Sequence, residues 1–117
     1  MALSILVVDD EPALRVIAAG VLRDEGWYVR VAGDGIQALE CIDQAMPDVL
    51  VLDLDMPRLD GEGVLAGLAG RGCLEQLRII IASGSSARAR AIPFPVLHKP
   101  YDLDHLVELV RPQQPTS

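Results

Sequence analysis

Positive charge is scarce in this chain: ten Lys and Arg stand against seventeen Asp and Glu, a formal net charge of −7. Binding nucleic acid without regard to sequence needs basic side chains arrayed against phosphates. That class of partner is excluded, and metal cations or basic protein surfaces are favoured. Long apolar runs are missing as well. None approaches the ~20 residues of a membrane-spanning helix, so no membrane partner is expected. The opening Met-Ala-Leu-Ser-Ile-Leu-Val-Val has no basic leader and reads as a strand, not a signal peptide. Cysteine is limited to Cys41 and Cys73, without metal-ligand spacing, which points to free thiols in a cytoplasmic protein and not to a disulfide framework. No internal repeat occurs. Half of the 117 residues are hydrophobic, enough for one domain that buries roughly two-thirds of its unfolded surface.

The chain is organised around Asp48 to Gly61, Asp-Val-Leu-Val-Leu-Asp-Leu-Asp-Met-Pro-Arg-Leu-Asp-Gly. Val49 to Leu52 is a continuous apolar run with no polar alternation, the pattern of a central parallel strand covered on both faces. Asp53 ends it, at the carboxyl edge where open α/β sheets gather ligands. Asp55, Pro57, Asp60 and Gly61 add turn chemistry. Ile5 to Val8 is a second such run, and Asp9 and Asp10 end it.

Between and after these runs, helical and strand patterns alternate. Pro12 opens a helix that Gly26 closes, Tyr28 to Ala32 is a short strand, and Ile36 to Asp43 is a helix. Val64, Leu65 and Leu68 mark a third helix, expected to be short or frayed because Gly63, Gly67, Gly70 and Gly72 weaken it. Arg78 to Ala82 is a fourth strand. Only Gly84 to Phe94 separates it from a fifth at Pro95 to His98, less than a parallel crossover with a full helix occupies. The fourth helix is therefore expected to be shortened or absent. A last helix holds Leu103, Leu106, Val107 and Val110, with Asp102 as its N-cap. The economical architecture is a three-layer α/β fold around a parallel sheet.

Asp9 and Asp10, Asp53, Ser83 and Lys99 all fall at strand ends on one edge. Four motifs, Val-Val-Asp-Asp-Glu-Pro, the Asp48 to Gly61 stretch, Ala-Ser-Gly and His-Lys-Pro, occur in that order. Together they resemble the response-regulator receiver domain of two-component signalling, over residues 3 to 111. The resemblance implies a flavodoxin-like, doubly wound five-stranded sheet of order 2-1-3-4-5, a receiver domain over 1–111 and a polar tail at 112–117. It implies Asp53 as phospho-acceptor, with Lys99 and Ser83 assisting the phosphoryl group. Mg²⁺ would be held by Asp10, Asp53, the Asp55 backbone carbonyl and Asp9, directly or through water. It also implies a cis Lys99–Pro100 bond. The implied protein is not an enzyme beyond its own phosphoryl transfer and dephosphorylation. Its partners would be a histidine kinase or histidine phosphotransfer protein and a downstream protein target, with the chain a monomer or weak homodimer.

Crowded carboxylates repel one another, so one would be protonated unless a cation shares the pocket. That supports the metal independently of the resemblance. Two features depart from the family pattern. Val96 stands where receivers carry Tyr or Phe, and a β-branched side chain cannot make the swing of that aromatic. With the short crossover, this resembles a subgroup of alphaproteobacterial stand-alone regulators with a reduced fourth helix, and Tyr101 is the nearest aromatic substitute. Phosphorylation is expected to order the Ser83 to Pro95 segment. Blander roles are expected for Asp60 as a turn former and for His98 and His105 as surface residues; in isolation Asp9 or Asp10 could equally cap the first helix, a reading the other motifs set aside. Leu-Asp-Leu-Asp-Met also resembles the nucleophile motif of haloacid-dehalogenase-type phosphatases, with Asp53 and Asp55 in the active pair. That family places the motif near the amino terminus and a second acidic pair later; here the pair Asp9 and Asp10 comes first.

Overall fold

A computed structural model of the chain describes residues 2–112, the Ser86 side chain excepted. The elements in chain order are β1 (Ser4–Val8), α1 (Pro12–Asp24), β2 (Tyr28–Ala32), α2 (Gly35–Gln44), β3 (Val49–Asp53), α3 (Gly61–Gly70), β4 (Arg78–Ser83), α4 (Ser86–Arg90), β5 (Val96–His98) and α5 (Leu103–Val110). The strands form one parallel sheet of order β2-β1-β3-β4-β5, the flavodoxin-like arrangement expected. The polar tail expected from 112 lies outside the described residues from 113 onward.

The apolar runs are continuous because each strand faces two cores. Ile5, Val7, Val49, Val51, Ile80, Ala82 and Leu97 point to the side of α1 and α5. Leu6, Val8, Leu50, Leu52, Ile79 and Ile81 point to the side of α2 and α3. Alternation of period two thus survives as a choice between two dry faces. All five residues of β3 are buried, as befits the middle of the sheet.

Register aligns the strand ends. Val8 lies opposite Leu52, Asp53 opposite Ala82, and Ser83 opposite His98. The Lys99 N–H continues the ladder to the Ser83 carbonyl at 2.8 Å. Residues that follow these ends are therefore neighbours across the sheet.

Two local expectations are corrected. α3 is neither short nor frayed: it runs ten residues. Val64 and Leu68 are fully buried and Asp60 accepts the Gly63 N–H at 2.9 Å as N-cap, so tertiary packing and a cap override the propensity cost of the glycines. Asp60 is thus a helix cap more than a turn former. At the start of α1, neither Asp9 nor Asp10 is the cap residue. Glu11 occupies that position without a side-chain cap bond, and Pro12 begins the helix. α4 is a single turn of five residues, β5 has three, and both fit the cramped crossover. Cys73 is buried, Cys41 half-buried, and both are free.

Gly61 is where the fold cannot take a side chain. A Cβ there would lie 2.6 Å from the Asp53 carbonyl oxygen and 2.8 Å from the Leu54 Cα, against backbone that cannot yield cheaply. Gly61→Ala is expected to cost about 1–3 kcal/mol in urea unfolding, the usual range for overpacking. It is also expected to disturb the amide resonances of Asp53 to Asp55. A variant of native stability with unshifted resonances would show that this approach is not tight.

Candidate functional site

Asp9 follows Val7 by two residues, Asp53 follows Val51 by two, and Lys99 follows Leu97 by two; all three predecessors face the α1/α5 core. Strand periodicity carries the side chains to the same side at the sheet's carboxyl edge. Lys99, the only lysine of the sequence, places its Nζ 2.9 Å from Asp9 Oδ2 and 3.1 Å from Asp53 Oδ2. Asp9 and Asp53 are buried. Asp10 is exposed at the rim, and carboxylate oxygens of Asp9, Asp10 and Asp53 all lie within 4.8 Å of one another. The Lys99–Pro100 peptide bond is cis.

Each buried oxygen has a partner. Asp9 Oδ1 accepts the Glu11 N–H at 2.9 Å, and Asp53 Oδ1 accepts the Asp55 N–H at 3.0 Å. Burial pushes the Asp53 carboxyl up to about 6, against the opposing pull of the Asp55 N–H and the Lys99 ammonium. Burial works against the Lys99 ammonium too, but its hydrogen bonds to Asp9 and Asp53 outweigh that and hold it above the ordinary lysine range. Lys99 therefore stays charged while Asp53 titrates near neutrality. Burial, reinforced by the charge of Asp9, pushes the Tyr101 phenol up to about 12, so it remains a neutral, half-buried ring. With Lys99, Pro100, Glu11, Ala13, Leu14 and Ile17 it lines a groove of about 490 Å³ beside the acids.

The other expected residues are near but otherwise engaged. The fully buried Ser83 donates its hydroxyl to the Ser85 carbonyl at 3.2 Å and accepts the Ser85 N–H at 3.0 Å. The Asp55 carboxylate binds Arg88 of α4, so it does not join the acidic trio. Arg88 also binds Glu62, with Nε 3.0 Å from Oε1, and stands 3.7 Å from Asp60 Oδ2. Sequence reading missed Arg88: its partners lie 26 and 33 residues away, and Ala-Arg-Ala-Arg offers no local signal. It also missed Arg58, which has positive φ and pairs with Asp34, tying the loop after β3 to the α2 cap. His98 and His105 are exposed, as expected.

Known proteins share both the sequence family and the 2-1-3-4-5 fold of this chain. The response regulator receiver domain family matches residues 5–111. The chain belongs to that family. It is 38% identical over 115 residues to the response regulator MprA of Mycobacterium tuberculosis, across 95% of this chain and 50% of that protein. The chain therefore spans about half the length of the curated relatives it matches. The receiver domain of the Francisella response regulator 1452 superposes with a TM-score of 0.80 at 29% identity, over 91% of each chain. The chemotaxis protein CheY4 of Vibrio cholerae, at 24% identity and a TM-score of 0.84 over 94% of this chain and 97% of that one, shares the fold. Receiver domains serve two-component signalling, are phosphorylated by histidine kinases and act on downstream effectors; they are not classical enzymes. The haloacid-dehalogenase alternative is not favoured: the family match is to receiver domains, and the Asp55 carboxylate is paired with Arg88 and is not part of the acidic cluster of Asp9, Asp10 and Asp53. Among the described residues no helix is long and apolar enough to cross a membrane.

The raised Asp53 carboxyl has a stability consequence. The receiver holds this proton more tightly than an unfolded chain, where the ordinary value is 3.8. The associated stabilisation is complete below about pH 4 and is lost as pH rises through about 6. In metal-free buffer Asp53→Asn, which cannot ionise, is expected to be more stable than the native chain at pH 7 by about 1–3 kcal/mol. That difference shrinks as pH falls toward 4. Urea unfolding of both proteins at several pH values checks it, and a difference that grows on acidification would contradict the assignment.

Proposed function

We propose that Asp53 accepts a phosphoryl group from a histidine kinase or histidine phosphotransfer protein, and that the phosphorylated chain signals by binding a downstream protein. The observation that carries this reading is the pairing of buried Asp53 with Lys99 beside Asp9 and Asp10. In the transfer, an Asp53 carboxylate oxygen attacks phosphorus as the donor's P–N bond breaks, and the imidazole leaves. Lys99 is mobile enough to follow the charge from the carboxylate to a phosphoryl oxygen. The acyl phosphate carries two negative charges where the carboxylate carried one, beside Asp9 and Asp10, so a single ammonium is not enough.

The donor set fits Mg²⁺: three carboxylates, all hard oxygen ligands, within 4.8 Å of one another and open to solvent through Asp10, which leaves room for the waters this ion retains. Asp10 and Asp53 would ligate directly, Asp9 directly or through water, and the Asp55 backbone carbonyl would complete the protein's share. When bound, the ion neutralises phosphoryl charge and aligns the reactants. Asp9, committed to Lys99 and to the Glu11 N–H, also sets the ammonium's position. The half-apolar groove along Leu14, Ile17 and Tyr101 supports docking of the donor protein beside the acceptor. A cytoplasmic location and a monomeric or weakly dimeric state accompany this reading, and residues 1–111 form the receiver unit.

Incubation with acetyl phosphate and Mg²⁺ is expected to add one phosphoryl mass to the native chain and none to Asp53→Asn; labelling of the variant would overturn the acceptor assignment. Asp10→Asn is expected to weaken Mg²⁺ binding by roughly tenfold or more, since disturbing even outer-shell partners of metals costs that much. Unchanged affinity in a calorimetric titration would remove Asp10 from the metal site.

A further inference from the structure

Resting on the proposed phosphorylation of Asp53, we infer that Arg88 is a positioning residue: its clamp across the mouth of the site keeps the Ser83 hydroxyl turned away from the acceptor until a phosphoryl group draws it in. A closed circuit of contacts carries this inference. Ser83 has one hydroxyl hydrogen, and it is given to the Ser85 carbonyl, while the same oxygen accepts the Ser85 N–H. Ser85 is the N-cap of α4, its Oγ accepting the Arg88 N–H at 3.3 Å. The Arg88 guanidinium reaches back to Asp55 and Glu62, and the Asp55 N–H binds Asp53. The circuit begins beside Asp53 and returns to it.

To donate to a phosphoryl oxygen, Ser83 must release the carbonyl of Ser85, the residue whose Oγ caps the Arg88 N–H and whose carbonyl also accepts the Ala89 N–H at 3.2 Å. A five-residue helix is too short to persist by itself. α4 is held by Ala89, which is buried, and on its outer side by the Arg88 clamp. Surface ion pairs are individually weak. That weakness suits a contact that one phosphoryl group must overturn. Val96 has a single preferred rotamer and cannot report the change, whereas α4 has two anchorages available to it. In this reading phosphorylation re-anchors α4 within the segment from Ser83 to Pro95.

The clamped arrangement and the arrangement with Ser83 on the phosphoryl group exclude each other, so opening the clamp must favour the second by linkage. Arg88→Ala and Glu62→Gln separate this from a simple field effect. The first removes a positive charge near the site and the second a negative one, so a field effect would move anion affinity in opposite directions. Loss of the clamp moves it in the same direction.

The test is titration with beryllofluoride and Mg²⁺, a stable mimic of the acyl phosphate, with hydrogen exchange read over residues 84–92. Both variants are expected to bind the mimic roughly two- to fivefold tighter than the native chain, the scale of breaking a surface ion-pair contact. Both should also show, without the mimic, the faster exchange that the native chain shows only with it. Arg88→Lys, which cannot bridge two carboxylates in Arg's fixed geometry, should fall between the native chain and Arg88→Ala. Opposite shifts in the two variants would reduce Arg88 to a local charge, and unchanged affinity would make it merely structural; either result overturns the inference. A native chain that binds no beryllofluoride would instead remove the phosphorylation reading beneath it.

Discussion

Two buried carboxylates and a third at the rim, with one ammonium between the buried pair, form the contact on which the rest of this structure turns. Asp9 and Asp53 sit almost without solvent at adjacent strand ends, each within 3.1 Å of the Lys99 Nζ. Water would otherwise have to solvate those charges, and the sheet edge excludes it. Burying a charge without a partner is costly. Burial pushes the Asp53 carboxyl up to about 6, with the charge of Asp9 adding a smaller push, and one ammonium shared by two carboxylates leaves the pocket net negative. That residual negative charge is what favours a further cation in the proposed reading.

The fold supplies that pocket through register and period, not through the loops alone. Because β1, β3 and β5 each send their odd-numbered residues to the α1/α5 face, the residues just beyond their ends converge without special geometry. β3 and β1 are adjacent, as are β4 and β5, and the ladder from Ser83 to Lys99 brings the ammonium back across. The loops then tune access. Arg58 pins the loop after β3 to Asp34, and Arg88 spans from α4 to Asp55 and Glu62. The apolar wall of Leu14, Ile17 and Tyr101 lies on the open side.

Most of this was legible in sequence because the signals are local. Ile5 to Val8 and Val49 to Leu52 are uninterrupted apolar runs stopped by acids, which announces a doubly covered strand and its functional end together. Gly26 and Asp102 punctuate their helices as residue type demands. The length from Gly84 to Phe94 is arithmetic that leaves no room for a full helix. What was not legible depends on distant partners. The glycines of α3 argue for fraying until Val64 and Leu68 are seen buried and Gly61 is seen against the backbone of β3. Arg88 looks like any exposed arginine until α4 is placed beside α3. Nor does residue type reveal that Ser83, expected to face the acceptor, spends its hydroxyl on Ser85.

The central claim is that Asp53, whose carboxyl burial raises to about 6, releases its proton to solvent when a divalent cation binds jointly to it and Asp10. Calorimetric titration with Mg²⁺ in buffers of different ionisation enthalpy counts the protons released on binding. With a carboxyl near 6, the native chain should release roughly half a proton at pH 6 and almost none at pH 8. Proton release that is the same at both pH values, or no binding of Mg²⁺ at either, would contradict it.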